Sequence, residues 1–224
     1  MLTLLPILLY IQISEFGASV HSSFESMHGT LSQESWGVHG NPMLSSNCSH
    51  IFENANECSG QNVQSQRNYA CDSHIRAYFG DVNLGGTGRP QFQLQLYQCM
   101  ISQMLWMKGE IETIRSTNVF GTLIWQLNEN WPTGGWGLLE YGSQYREDGQ
   151  IMGGRWKPLM YLLRRSLFRN VFATCGQSGR CYIRNDGTDL FVGTVHVESW
   201  DFSGVVRTVF RNHISLGPNG DISK

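Results

Sequence analysis

Between Gly121 and Tyr141 the chain gathers side chains suited to holding a sugar: Trp125, Trp131 and Trp136, with Gln126, Asn128, Glu129, Glu140 and Tyr141 among them. An indole face offers an apolar platform to the C–H face of a pyranose, and amides and carboxylates satisfy its hydroxyls. The plainer reading of Trp125 and Trp131 is that they are core aromatics closing a barrel. Leu123 to Leu127 is a short, mostly apolar run bounded by Gly121 and the Pro132–Gly135 turn, the pattern of a strand buried on both faces of a parallel sheet. Trp125, Asn128, Glu129 and Trp131 then stand at or just beyond the C-terminal end of that strand. In an α/β barrel, that end carries the active site.

Two further segments extend the pattern. Ser14-Glu15-Phe16-Gly17-Ala18-Ser19 precedes the tryptophan-rich run, and Gly154-Arg155-Trp156-Lys157-Pro158-Leu159-Met160-Tyr161 follows it. Together the three segments resemble the β-mannosidase branch of glycoside hydrolase family two, in order from about Ile13 to at least Tyr161. A Ser-Glu-Phe-Gly tetrapeptide alone arises often by chance; the motifs are specific in combination. The resemblance implies an exoglycosidase that removes terminal β-linked mannose from an oligosaccharide with retention. It implies that Glu15 is the nucleophile, at the end of the seventh barrel strand, and that Trp125 floors the subsite of the cleaved sugar. Gln126, Asn128 and Trp131 would complete the lining. Trp136, Glu140 and Tyr141 fall to the outer rim or to structural roles, and Arg155 and Trp156 to packing at the rim. No cofactor is required for this reaction. The choice of mannose rests on the resemblance alone, since a related branch acts on glucosamine and others on galactose or glucuronic acid.

A retaining glycosidase needs two carboxyl groups about 5 to 5.5 Å apart, one ionised to attack the anomeric carbon and one protonated to release the leaving oxygen. Glu15 supplies the first. The resemblance puts the second after an asparagine on an earlier strand, and the fourteen residues before Glu15 hold no Asn-Glu pair. Two such pairs lie downstream, Asn56-Glu57 in a polar loop and Asn128-Glu129. Glu129 would emerge beside Glu15 and is the better substitute acid, although many relatives carry an aspartate there with no proton-donor role.

The 224 residues are 41% hydrophobic, 12% aromatic and 15% charged, enough apolar material for a substantial core. They fall short of the roughly 250 of a complete eight-stranded barrel, so the chain reads as part of something larger. Net charge is −2 and no basic run exceeds Arg164-Arg165, which argues against nucleic-acid binding. Met1 to Ile13 is apolar but too short for a membrane span. It reads either as the central region of a secretory leader, with Gly17-Ala18-Ser19 as a cleavage site, or as the remnant of the seventh strand at Leu8–Ser14. The second reading keeps Glu15 and is preferred. The six cysteines make no Cys-x-x-Cys pair and the seven histidines no His-Glu-x-x-His, which speaks against a metal site. Cys48 with Cys58 and Cys175 with Cys181 are plausible bridges; Cys71 and Cys99 read equally as buried thiols or as a third bridge. With the Asn47-Cys48-Ser49 acceptor pattern, this leans toward a secretory, lysosomal or extracellular setting. No motif specifies an oligomeric state.

Val20 to Asn68 is rich in Ser, His, Asn and Gly and reads as a long excursion after the seventh strand. Within it Trp36 and His39 either touch substrate or staple the loop to the barrel rim. Phe92 to Arg115 reads as a helix on the spacing of Leu96, Cys99, Met100, Gln103, Met104, Met107, Ile111 and Ile114, introduced by a loop with Gly85, Gly86, Gly88 and Pro90. Arg155 to Phe168 repeats that spacing with Trp156, Leu159, Leu162, Leu163 and Leu167, leaving Arg164 and Arg165 to solvent. From Val171 the pattern turns to short strands at Cys181–Arg184, Phe191–Trp200 and Val205–Phe210, separated by Asn185-Asp186-Gly187 and Ser203-Gly204. The fold class expected is α/β: residues 1–170 as the C-terminal part of a (β/α)8 TIM barrel, and residues 171–224 as the start of an immunoglobulin-like sandwich. The latter segment is short of the roughly 100 residues a full sandwich takes, so unpaired edges are expected at Val195, Val197 and Val209. Three other functions compete: a catalytically inactive remnant, a mannoside-binding module using Trp125, Trp131 and Trp136, and a small secreted disulfide-bonded interaction protein.

Overall fold

The computed structural model describes residues 11–39, 71–116, 119–142, 154–176 and 179–223. The apolar segment before Ile11, the Cys48 and Cys58 pair, the Asn47-Cys48-Ser49 pattern and Asn56-Glu57 lie outside them. Helix and strand are mixed, in two compact units: Gln12–Glu110 with Gly121–Arg164, and Ile111–Phe120 with Arg165–Lys224 and the extreme N-terminus.

In the larger unit, β1 (Ile11–Phe16) and β2 (Val119–Ile124) are neighbours in a two-stranded sheet. The strand expected at Leu123–Leu127 therefore begins earlier and stops before Trp125. From Gln126 onward the backbone turns to bond with residues 136 to 139 instead, and Leu123 and Leu127 are 52% and 61% exposed rather than buried. After β1 come the short helix α1 (Phe24–Met27) and 3-10 turns at His28–Thr30 and Gln33–Ser35. Helix α2 (Asp72–Phe79) and the long α3 (Arg89–Arg115) follow.

The α3 stripe forms as its spacing predicts: Leu96, Cys99, Met100, Gln103, Met107, Ile111 and Ile114 are all buried. Pro90 stands in its first turn, where a missing N–H costs nothing. The core joins Val20, Phe24 and Met27 to Val38, Cys71, Ile75, Leu84, Phe92 and Leu96. Each large side chain fully buried in this way contributes about 1.5–3 kcal/mol. A fully buried amide, Gln95, stitches the loops to α3: its oxygen accepts the Val38 N–H (3.0 Å) and its nitrogen donates to the carbonyls of Asn83 (2.6 Å) and Gly86 (2.8 Å). A disulfide joins Cys71, at the start of α2, to Cys99 on α3, so the bridge and not the free-thiol alternative holds.

Trp36 and His39 are staples. Trp36 meets Phe24 edge-on at 5.1 Å, and the His39 ring lies 2.7 Å from the Asp72 carboxylate. The helix expected from Arg155 to Phe168 is shorter, α4 (Pro158–Leu162), because the backbone widens into a π-helical turn at Leu163–Leu167. Leu159, Leu163 and Leu167 still face inward.

The smaller unit holds β3 (Val171–Cys175), β4 (Cys181–Asn185), β5 (Phe191–Trp200), β6 (Val206–Leu216) and β7 (Asp221–Ser223). Strands β3, β4 and β7 form one antiparallel sheet in the order β3-β4-β7, and β5 with β6 forms a hairpin. Cys175 and Cys181 face each other in the β3–β4 register and are disulfide-bonded. Val195 and Val197 pair with Asn212 and Phe210 on one side, β6 running further than its apolar core suggests; in this two-stranded sheet the other edge of each strand has no partner strand among the described residues, and Val209 falls at a bulge. Arg115 anchors this unit, its guanidinium 4.4 Å from the Phe172 ring centroid and bonded to Asp186 Oδ2 (2.6 Å) and the Leu167 carbonyl.

Candidate active site

Glu15 lies one residue before the end of β1, with its side chain exposed. The next residue, Phe16, accepts the Trp125 N–H through its carbonyl at 2.9 Å, which sets the first residue after β2 beside the end of β1. Gly17 is required at that crossing. A β-carbon on it would meet the Trp125 carbonyl oxygen at 2.0 Å and Trp136 Cδ1 at 3.1 Å. A cis peptide bond joins Trp125 to Gln126. The Gln126 N–H then donates to the Trp136 carbonyl (3.0 Å), and the N–H of Leu138 to the carbonyls of Gln126 and Leu127 (3.0 Å each).

These bonds gather Glu15, Trp125, Gln126 and Trp136 in one neighbourhood. Trp125 is 43% exposed, Trp131 48% and Trp136 37%, so three partly exposed tryptophans stand on one loop. Asn128 is exposed; its backbone bridges Leu139, and its amide donates to the Glu129 carbonyl (3.2 Å). Trp131 stands further along the loop, where its carbonyl accepts the Thr133 N–H at 2.9 Å. Trp136, expected at the outer rim or in a structural role, abuts Gly17 two residues after Glu15. Its position in sequence hid this, because only the bond back to Gln126 brings it there.

Glu129, weighed as a substitute acid, is engaged in a buried ion pair. Its carboxylate is buried, with Oε1 2.5 Å from Lys157 Nζ and accepting the Gly137 N–H at 2.9 Å. Lys157 is fully buried, and its ammonium also donates to the Val20 carbonyl (3.3 Å). Burial pushes the Lys157 pKa down from its usual range, while the charge and hydrogen bond of Glu129 oppose the shift.

Glu140 heads a second buried cluster. Its Oε2 accepts from Ser23 Oγ (2.5 Å), Ser26 Oγ (2.7 Å) and Arg155 Nη2 (3.1 Å). Arg155 thus pairs with a carboxylate rather than merely packing. Both clusters join the segment after β1 to the loop after β2 and the approach to α4. Among the described residues no group of three His, Cys, Asp or Glu side chains is placed to hold a metal ion, and no helix is long and apolar enough to cross a membrane.

No protein family's profile matches the chain. β-Mannosidases from Capra hircus and Bos taurus are 26% and 27% identical to it over 162 and 161 residues, 68% of the chain in each case. The chain spans about 15% of the length of these curated relatives. Among solved structures, a complex of the Amycolatopsis orientalis exo-chitosanase CsxA aligns over 67% of this chain and 17% of its own, with 15% identity and a TM-score of 0.43. A structure of the exo-β-D-glucosaminidase CsxA aligns over 93% of this chain and 22% of its own, with 13% identity and a TM-score of 0.48. Scores of this size carry no functional weight. What the sequence comparison gives is a likeness to glycosidases across about two thirds of the chain.

Proposed function

We propose that this chain is the nucleophile-bearing part of a β-mannosidase-like exoglycosidase that cleaves terminal β-mannosidic bonds with retention. Glu15 attacks the anomeric carbon, forming a glycosyl ester as the leaving oxygen departs with its bonding electrons; water then opens the ester and releases the sugar. Trp125 stacks on the sugar, and Gln126, Asn128 and Trp131 bond or pack around it. The general acid is assigned to no described residue. Residues 1–170 belong to a TIM barrel and 171–224 to an immunoglobulin-like sandwich on this reading, and the two disulfides fit an oxidising, secretory or lysosomal compartment.

The observation that carries the reading is the backbone crossing of Phe16 and Trp125, which brings exposed Trp125 to the strand end that carries exposed Glu15, within the segment similar to β-mannosidases. The test is hydrolysis of dinitrophenyl β-mannoside, whose leaving phenolate needs no proton and so no general acid. Release by the parent chain and none by Glu15→Gln is expected; equal release by both refutes the assignment of Glu15. A mannoside-binding module without turnover is the second reading, favoured by the three partly exposed tryptophans. It is marked by a change in tryptophan fluorescence on adding mannose with no release of phenolate.

A further inference from the structure

We propose that the buried Glu129–Lys157 pair is a positioning device, which holds the tryptophan loop in one register against the segment following Glu15. What the site binds is taken from the reading above; the positioning itself rests on geometry.

A salt bridge with side chains 0% and 1% exposed gives up two hydration shells, and apolar residues of equal volume are often as stable or more so. Such a pair offers directionality at the point where it sits. Glu129 Oε2 has no hydrogen-bond partner among the described residues, so the polar partnership of the carboxylate is concentrated on Oε1, at the cost of a buried unsatisfied oxygen. Oε1 receives Lys157 Nζ and the Gly137 N–H together.

Two glycines make room for this arrangement. A β-carbon at Gly135 would meet Oε2 at 2.0 Å, and one at Gly137 would meet the Asn128 carbonyl carbon and the Glu129 nitrogen at 2.6 Å and Glu129 Cδ at 2.9 Å. Those glycines flank Trp136. Gly135 also exchanges two backbone bonds with Val20 (2.8 and 3.1 Å), and Lys157 donates its backbone N–H to Leu138 (2.9 Å) and its ammonium to Val20. Trp136 is thus pinned on both sides. Its carbonyl receives the Gln126 N–H, and its indole lies against Gly17, which lies under the Trp125 carbonyl. The chain of contacts runs from the pair through Trp136 to Trp125 and the end of β1, where Glu15 stands. Neither Glu129 nor Lys157 touches substrate in this account; both act through Trp136.

The experiment compares the parent chain with Glu129→Met/Lys157→Met, which removes both charges at once, and with Glu129→Gln/Lys157→Met, which keeps an oxygen for the Gly137 N–H. Thermal unfolding, amide hydrogen exchange at Gln126 and Gly137, and mannose affinity by tryptophan fluorescence are measured on each. The double-methionine variant is expected to unfold cooperatively, yet to exchange those amides and release mannose about tenfold more readily, the effect of losing one hydrogen bond. The glutamine variant is expected to recover most of both. Parent-like exchange and affinity in the double-methionine variant overturn the proposal. If that variant does not fold, Gly135→Ala, which displaces the carboxylate without altering a charge, is expected to show the same loss, and parent-like behaviour there overturns the proposal equally. A parent chain that ignores mannose refutes the glycosidase reading, and the exchange rates alone then decide the positioning.

Discussion

Gly17 passes so close beneath Trp125 that a single added carbon would reach the tryptophan's carbonyl oxygen at 2.0 Å. The contact is with backbone, which cannot swing aside as a side chain can. Gly17→Ala is therefore expected to force the ends of β1 and β2 apart, at a cost of about 1–3 kcal/mol typical of overpacking. A lower thermal midpoint with altered tryptophan emission is the expected result; a variant with the parent's stability and spectrum would show that the crossing has slack.

Breaking the buried pair from one side is expected to hurt more than removing it whole. Lys157→Met leaves the Glu129 carboxylate buried without its cation and should lower stability by about 3–5 kcal/mol in denaturant unfolding. Glu129→Gln/Lys157→Met should recover much of that. A single variant no worse than the double would mean that water reaches the carboxylate.

The two described disulfides should differ in effect. The Cys71–Cys99 bridge closes a 28-residue separation and Cys175–Cys181 one of 6, so loop-closure entropy assigns them about 3.6 and 2.2 kcal/mol. Cys71→Ser/Cys99→Ser should therefore lower the unfolding midpoint more than Cys175→Ser/Cys181→Ser. The reverse order would mean that constraint of the unfolded chain is not what the bridges supply.

Tyr182 should titrate late. Burial, reinforced by the charge of Glu112, pushes its phenol from 10.0 up to about 12, and the hydroxyl donates to the Glu112 carbonyl. The folded state holds the proton more tightly than the unfolded chain. The stability this contributes is complete below pH 10 and is lost as pH rises toward 12. The ultraviolet titration difference between the parent and Tyr182→Phe should show a midpoint near 12; a midpoint near 10 would contradict it.

Much of this architecture is legible in the sequence where periodicity speaks. The stripe from Leu96 to Ile114 is buried as its spacing requires except at Met104, which is half-buried, and β5 appears at Phe191–Trp200 as read. Legibility ends where long-range bonds decide. The strand around Leu123 slides toward the N-terminus because residues from Gln126 on find partners at 136 to 139, which no local pattern announces. Gly135 and Gly137 look like turn glycines, but the first makes room for the Glu129 carboxylate and the second chiefly for the Asn128–Glu129 backbone. Glu129 and Lys157 were the hardest to place, since charged residues belong to the surface by default and each is buried only because of the other.

The central claim is that Glu15 is a nucleophile, and covalent capture tests it most directly. A 2-deoxy-2-fluoro-β-mannosyl fluoride should esterify the Glu15 carboxylate as fluoride leaves. The 2-fluorine then slows hydrolysis of the ester, and no general acid is needed for the first step. Intact-mass measurement followed by peptide mapping should find one added fluorosugar, on the peptide carrying Ser14-Glu15-Phe16-Gly17, and none in Glu15→Gln. Label on a different carboxylate, or none on the folded parent chain, would contradict the account.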